Sequence, residues 1–163
     1  MFPAYFQRMA RYNGWANALI YAAAAEMASE DFARETGAFF GSLKGTLNHV
    51  LAADRIWMHR LTGEGETYPE LNIVLHDDLA ALAAARIAED ARIVKWVEGL
   101  SQADFERDFQ YANMAGDPFT DRLDLLLCHF FNHQTHHRGQ AHALISELGH
   151  APPSIDLIYF SRV

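Results

Sequence analysis

The sequence predicts an all-α fold: a four-helix bundle with long crossover connections and room for one short strand pair in the 101–119 connection. Three observations predict it. Four long stretches repeat apolar residues at helical spacing. Each stretch is bounded by residues that start or stop helices. Two of the connections are long enough to cross the bundle instead of turning tightly. The 163 residues fit one domain over 1–163, large enough to bury a core without disulfides.

The first helix is expected over about 3–27, where Phe6, Met9, Tyr12, Ala16, Leu19 and Ala23 return at helical spacing. Pro3 suits its first turn, where a missing N–H costs little. The second runs from a Ser42 cap to Thr62, with Gly63 as its stop. The third begins near Asp77 and Asp78, whose charges favour a helix N-terminus, and stops at Gly99. The fourth starts at Thr120 or Asp121 and closes at Gly149, before Pro152 and Pro153. In the 101–119 connection, alternating Phe105, Phe109 and Tyr111 suggest the short strand.

Composition narrows the function classes. Thirteen Lys and Arg against 21 Asp and Glu give a net charge of −8, and no basic cluster interrupts that acidity, so nucleic acid is not an expected partner. The apolar run at 21–25 is short and Ala-rich, so no membrane partner is expected either. The N-terminus lacks a cationic stretch followed by an apolar core, which predicts a cytoplasmic protein. A single cysteine, Cys128, excludes an intramolecular disulfide and sits off the inward face of its helix.

Nine histidines prompt a search for metal-ligand spacing. His133 and His137, four apart on the last helix, stand one turn apart on one face and can grip one ion. Leu126, Phe130, Gln140, Ala141, Leu144 and Leu148 share that face, so both imidazoles are expected to point inward. His49 lies on the inward face of the second helix with Thr46, Ala53, Ile56 and Arg60, and the small residues nearby predict a hollow. With His49 the set would be a triad with open coordination positions. Spacing alone does not show that the two helices adjoin, and hydrogen-bonded core histidines are the alternative. A zinc-protease reading fails because Gln134 stands where that helix needs a glutamate. His129 is read as a core histidine or an outer partner of the site, and His136 as a flank contact. His59, His76, His142 and His150 are read as surface residues. Arg86 and Asp90, four apart in the apolar stripe of the third helix, are read as an ion pair at the stripe's edge, or with Asp90 as an acid/base group near the site.

Two segments carry a family resemblance. Leu47-Asn48-His49-Val50-Leu51-Ala52-Ala53-Asp54-Arg55-Ile56-Trp57 and Asn132-His133-Gln134-Thr135-His136-His137-Arg138-Gly139-Gln140 resemble helices of the DinB-like (YfiT-like) metalloenzyme family. Arg11-Tyr12-Asn13-Gly14-Trp15-Ala16-Asn17 and the tail from Asp156 to Phe160 resemble it too. The resemblance implies a bundle with a long crossover, often a homodimer, and a divalent metal on His49, His133 and His137. It also implies a stress-response setting and thiol-dependent transferase relatives that use small thiol cofactors. Gly139 would let another backbone approach the last helix. Arg138 and Gln140, with Asp90, are the weaker catalytic or orienting candidates.

The expected function is therefore a metal-dependent enzyme, a low-molecular-weight thiol S-transferase acting on small electrophiles. The alternatives are a metal-dependent hydrolase at the same open positions and a non-catalytic metal-binding bundle. Imidazole donors suit Zn, Ni or Fe, and Arg60, Arg86 and Arg138 are candidates to hold a thiol's carboxylates. Because ligation needs unprotonated imidazole, the ordinary histidine pKa predicts metal loss below about pH 6.

Overall fold

The computed structural model describes residues 2–162. Four long helices form the bundle: α1 (Phe2–Ala25), α3 (Leu43–Thr62), α4 (Leu79–Glu98) and α6 (Leu123–Glu147). Short helices α2 (Ser29–Ala33), α5 (Gln102–Phe105) and α7 (Leu157–Phe160), and strands β1 (Asp108–Ala112) and β2 (Pro118–Arg122), fill the connections.

The helix ends follow local chemistry. Ser42 Oγ accepts from the Gly45 N–H at 3.1 Å and Asp78 Oδ1 from the Ala81 N–H at 2.8 Å, so both residues act as N-caps. Gly63, at φ 73°, closes α3 in the left-handed region that glycine reaches without strain. At the end of α6 the His150 N–H donates to the Ile145 carbonyl and the Gly149 N–H to that of Ser146, the paired bonds of a Schellman motif.

Side-chain contacts give the helix directions. Arg11 meets Glu98 and Asn17 meets Asp90, so α1 and α4 are antiparallel. Asp54 meets Arg86 and Thr62 meets Arg92, so α3 and α4 are parallel. His49 meets His137 and Trp57 meets His129, so α6 runs against α3. The segment 63–78 must therefore return along the bundle before α4 begins, which is the expected crossover.

The strand pair exists but reaches further than expected. β1 and β2 pair antiparallel from Asp108 opposite Arg122 to Ala112 opposite Pro118. Thr120 and Asp121, read as the start of the last helix, are strand residues, and α6 begins at Leu123. The cause is nonlocal: Thr120 pairs with Gln110, and the Leu123 N–H donates to the Arg107 carbonyl.

Two apolar clusters fill the bundle, one around Phe6, Ile93, Phe105 and Phe130, the other around Ile20, Leu47, Leu82 and Ile145. The core also holds a buried polar network. Arg86 and Asp90 do pair, at 2.9 Å, but the expected position at the stripe's edge is wrong. Arg86 is only 2% exposed and also reaches Asp54 on α3 at 2.5 Å. Asn13 and Asn17 on α1 donate amide N–H bonds to Asp90 and accept from Arg138 of α6. Two aspartates and two arginines thus neutralise one another across all four helices, relayed by amides that both donate and accept.

Gly139 is exposed on α6, and a Cβ added there would meet nothing within 4 Å in this chain. The close approach expected at this glycine is therefore absent within the chain. Gly139→Ala should stabilise the fold by up to about 1 kcal/mol through helix propensity alone, read as a higher urea midpoint. A destabilised variant would mean that another copy packs against that glycine.

Candidate metal centre

His49, His133 and His137 come together between α3 and α6, with their candidate ligand atoms all within 4.8 Å of one another. His137 is central: its Nε2 lies 3.1 Å from His49 Nε2 and 3.0 Å from His133 Nε2. Two imidazole nitrogens at right angles around an ion, each about 2.1 Å from it, would stand about 3.0 Å apart. Two of the three edges match that spacing, and the third, between His49 and His133, lies within 4.8 Å.

The tautomers are held from behind. His49 Nδ1–H donates to the Leu71 carbonyl at 2.8 Å. His137 Nδ1–H donates to Gln140 Oε1 at 2.7 Å. Each bond leaves the Nε2 lone pair facing inward, the arrangement that orients a metal-ligating histidine. The two facing lone pairs repel, and a shared cation removes that repulsion.

Burial keeps the imidazoles neutral. His49 is pushed down to about 4 by burial, against the pull of its Leu71 bond. His133 is pushed down to about 3 by burial and then by the neighbouring His137 and His49. His137 is lowered too, chiefly by burial, with Gln140 opposing. This revises the pH at which protons should compete with a metal. In the unfolded chain these groups bind protons near pH 6.5, so their contribution to stability is present above 6.5 and is lost as pH falls toward the folded values. While the fold persists, metal release should lie well below the pH of about 6 that the ordinary histidine pKa predicts, toward the lowered values of His49 and His133. Release followed by a metallochromic dye, with circular dichroism for the fold, checks this. A release midpoint near 6.5 in folded protein would mean solvent-like imidazoles.

Sequence reasoning missed three supports of the site. Phe40 stacks on His49, with centroids 3.8 Å apart and planes at 17°, and presents its edge to His137. The reason lies at Gly45, where a Cβ would sit 2.0 Å from the Phe40 carbonyl oxygen; only glycine lets that loop close onto α3. Asn48, fully buried, accepts from the Leu75 and His76 N–H groups and donates to the His76 carbonyl, which ties the crossover beside His49. Leu71 supplies the carbonyl from that same crossover. Gly45 and Asn48 were visible as residue types, but their partners lie in irregular segments that no periodicity marks.

The hollow expected around His49 is covered by Phe40, and the open space lies further along, where His133 is the one triad member on its wall. A cavity of about 260 Å3 is lined by Ala53, Ile56, Trp57, Arg60, Leu71, Met114, His129 and His133. His129 borders it and contacts Trp57 and His133 rather than filling the core. His136 is exposed, edge-on to His137. Gln140 is brought to the site through His137. Asp90, Arg86 and Arg138 belong instead to the buried network, where their partners are Asn13, Asn17, Asp54 and one another. Gln134 is fully buried beside Asp54. Of the histidines read as surface residues, His150 pairs with Asp31 at 3.0 Å and His59 bonds the Gly65 carbonyl; all four are half-buried.

Fold and site together define a class: a helical bundle whose second and fourth long helices bring three histidines into a cluster that could hold a metal ion. The DinB family model matches residues 1–163, and the chain belongs to that family. It is similar to Protein DinB of Bacillus subtilis (strain 168), 24% identical over 162 residues, covering 91% of this chain and 89% of that protein. Its fold is similar to the crystal structure of a DinB-like protein from Bacillus cereus ATCC 10987, with a TM-score of 0.66 and 17% identity, over 85% of this chain and 89% of that one. Among the described residues no helix is long and apolar enough to cross a membrane.

Proposed function

We propose that this chain is a metal-dependent enzyme, a transferase that uses a low-molecular-weight thiol against small electrophiles. The observation that carries the reading is the histidine triad, held by Leu71 and Gln140, with His133 opening onto the 260 Å3 cavity. A divalent ion such as Zn, Ni or Fe, bound by those three nitrogens, would lower the pKa of a thiol and hold it as a nucleophile.

The chain's own residues favour a thiol over water. Among the described residues no carboxylate lines the cavity, so none of their acidic side chains stands ready to take a proton from water. A thiol whose pKa a bound metal lowered would release its proton to solvent and would need no such base. Apolar Ala53, Ile56, Leu71 and Met114 would exclude bulk water from the nucleophile, and Trp57 offers a flat wall for a small electrophile. A hydrolase is the second reading. It rests on His129, whose pKa is lowered by burial and by Arg60, leaving a neutral imidazole able to accept a proton on the cavity wall.

Cobalt-loaded, untagged protein tests the choice. The transferase reading expects a sulfur-to-cobalt charge-transfer band when a small thiol is added, and thermal protection by that thiol. Absence of both, with cobalt bound at one per chain, would overturn it. Hydrolysis of activated esters abolished by His129→Phe would support the second reading.

A further inference from the structure

Arg60 stands apart from the other arginines in contact with the interior. Arg55, Arg86 and Arg92 each meet a carboxylate, from Glu66, Asp54 and Glu89 respectively. Arg138 is absorbed by Asn13, Asn17 and Thr135. Arg60 is half-buried on the cavity wall, where it lies against the rings of Trp57 at 4.8 Å and Tyr111 at 5.9 Å, close enough to His129 to disfavour its protonation, and among the described residues no carboxylate pairs with it. In a chain with eight more acidic than basic residues, an arginine with no acidic partner beside a candidate reaction centre is a ready receptor. The rings use its charge and steady its position while leaving its N–H donors to a ligand.

The geometry points to Arg60 as the anchor for the carboxylate of a small organic acid, whose other end reaches the histidine triad past His133. This deepens the proposed function and rests on the triad being the reaction centre. Three features define the ligand. A guanidinium fork matches a planar carboxylate. Among the described residues Arg60 is the one permanently charged group on the wall, so it balances a monoanion and would leave a phosphate dianion under-compensated. The α3 residues on the wall run from Ala53 to Arg60, roughly 10 Å along the helix, and the volume lies below the roughly 300–1,000 Å3 usual for drug-sized ligands. The fit is a short chain of about that length, mostly apolar, charged at one end only. Of the three arginines that the sequence made candidates for this role, only Arg60 borders the cavity.

The test compares charged and neutral isosteres. Cobalt-loaded protein is titrated with 6-mercaptohexanoate and with 6-mercaptohexan-1-ol, following the charge-transfer band. The carboxylate is expected to bind at least tenfold tighter, and Arg60→Gln to remove the difference while leaving the alcohol's affinity unchanged. Equal affinities in the wild type, or a preference that survives in Arg60→Gln, overturn the assignment. If neither thiol produces the band, the thiol reading fails, and the anchor is then read separately by calorimetry of metal-free protein with hexanoate and hexanamide. There, a carboxylate preference lost in Arg60→Gln supports the anchor, and no preference overturns it. The wild-type comparison stands by itself should the variant fold poorly.

Discussion

Arg86→Met is expected to destabilise the protein by about 3–5 kcal/mol, the usual cost of removing one partner from a buried ionic cluster. The side chain is 2% exposed and lies between Asp54, 1% exposed, and Asp90. Burial pushes Asp54 up to about 6 even with Arg86 beside it. Burial also opposes charge on Arg86, but Asp90 and Asp54 outweigh it and hold the guanidinium charged. Methionine fills much of the same volume, so the loss reads the uncompensated carboxylate charge, chiefly that of Asp54, more than a cavity. The sign with pH follows. A carboxylate whose folded pKa is raised above 3.8 contributes stability below that value and loses it as pH rises through the folded value. The deficit of Arg86→Met should therefore shrink on going from pH 7 to pH 5. Urea unfolding at the two pH values measures it. The double variant Arg86→Met/Asp54→Asn should recover much of the loss, because it removes one charge of each sign and leaves Asp90 and Arg138 to balance each other through Asn13 and Asn17. A deficit that is small and independent of pH would show that the carboxylates find other compensation.

His137→Ala should abolish stoichiometric metal binding, lowering affinity by more than about 100-fold, beyond what loss of an outer-shell partner brings. His137 is the right position because its Nε2 lies within 3.1 Å of both other candidate ligand nitrogens; without it, His49 and His133 lose the ring that stands between them. Gln140→Leu leaves the ligands in place but releases the His137 ring, so a loss of about 10–100-fold is expected. Metal content of untagged protein and competition with a chelator measure both. Stability should move the opposite way to a structural histidine. In metal-free protein His137→Ala should cost little, since it removes a lone pair that faces that of His49, whereas with metal added only the wild type should gain in Tm. Full metal occupancy in His137→Ala would remove the triad as the binding site.

How much of this was legible in the chain varies by element. The caps at Ser42 and Asp78 and the stops at Gly63 and Gly149 were readable because capping is decided within a few residues. The inward face of α6 was readable for the same reason: Leu126, Phe130, Ala141 and Leu144 are all buried as their spacing requires. The start of α6 was misplaced because Thr120 and Asp121 are claimed by pairing with β1, ten or more residues away. Periodicity has no access to a partner strand.

The sequence by itself determined which residues could form helices, which faces they bury, and that His133 and His137 share one turn. Those properties come from backbone hydrogen bonding and side-chain period, both local. Only the tertiary structure decided that α3 lies against α6 so that His49 joins the pair, 88 residues from His137. It also decided that Phe40 covers His49, that the Leu71 carbonyl sets the His49 tautomer, and that Arg86 spends its charge in the core while Arg60 keeps its own on the cavity wall. These depend on which surfaces pack together, and packing is set by the burial of the whole chain at once.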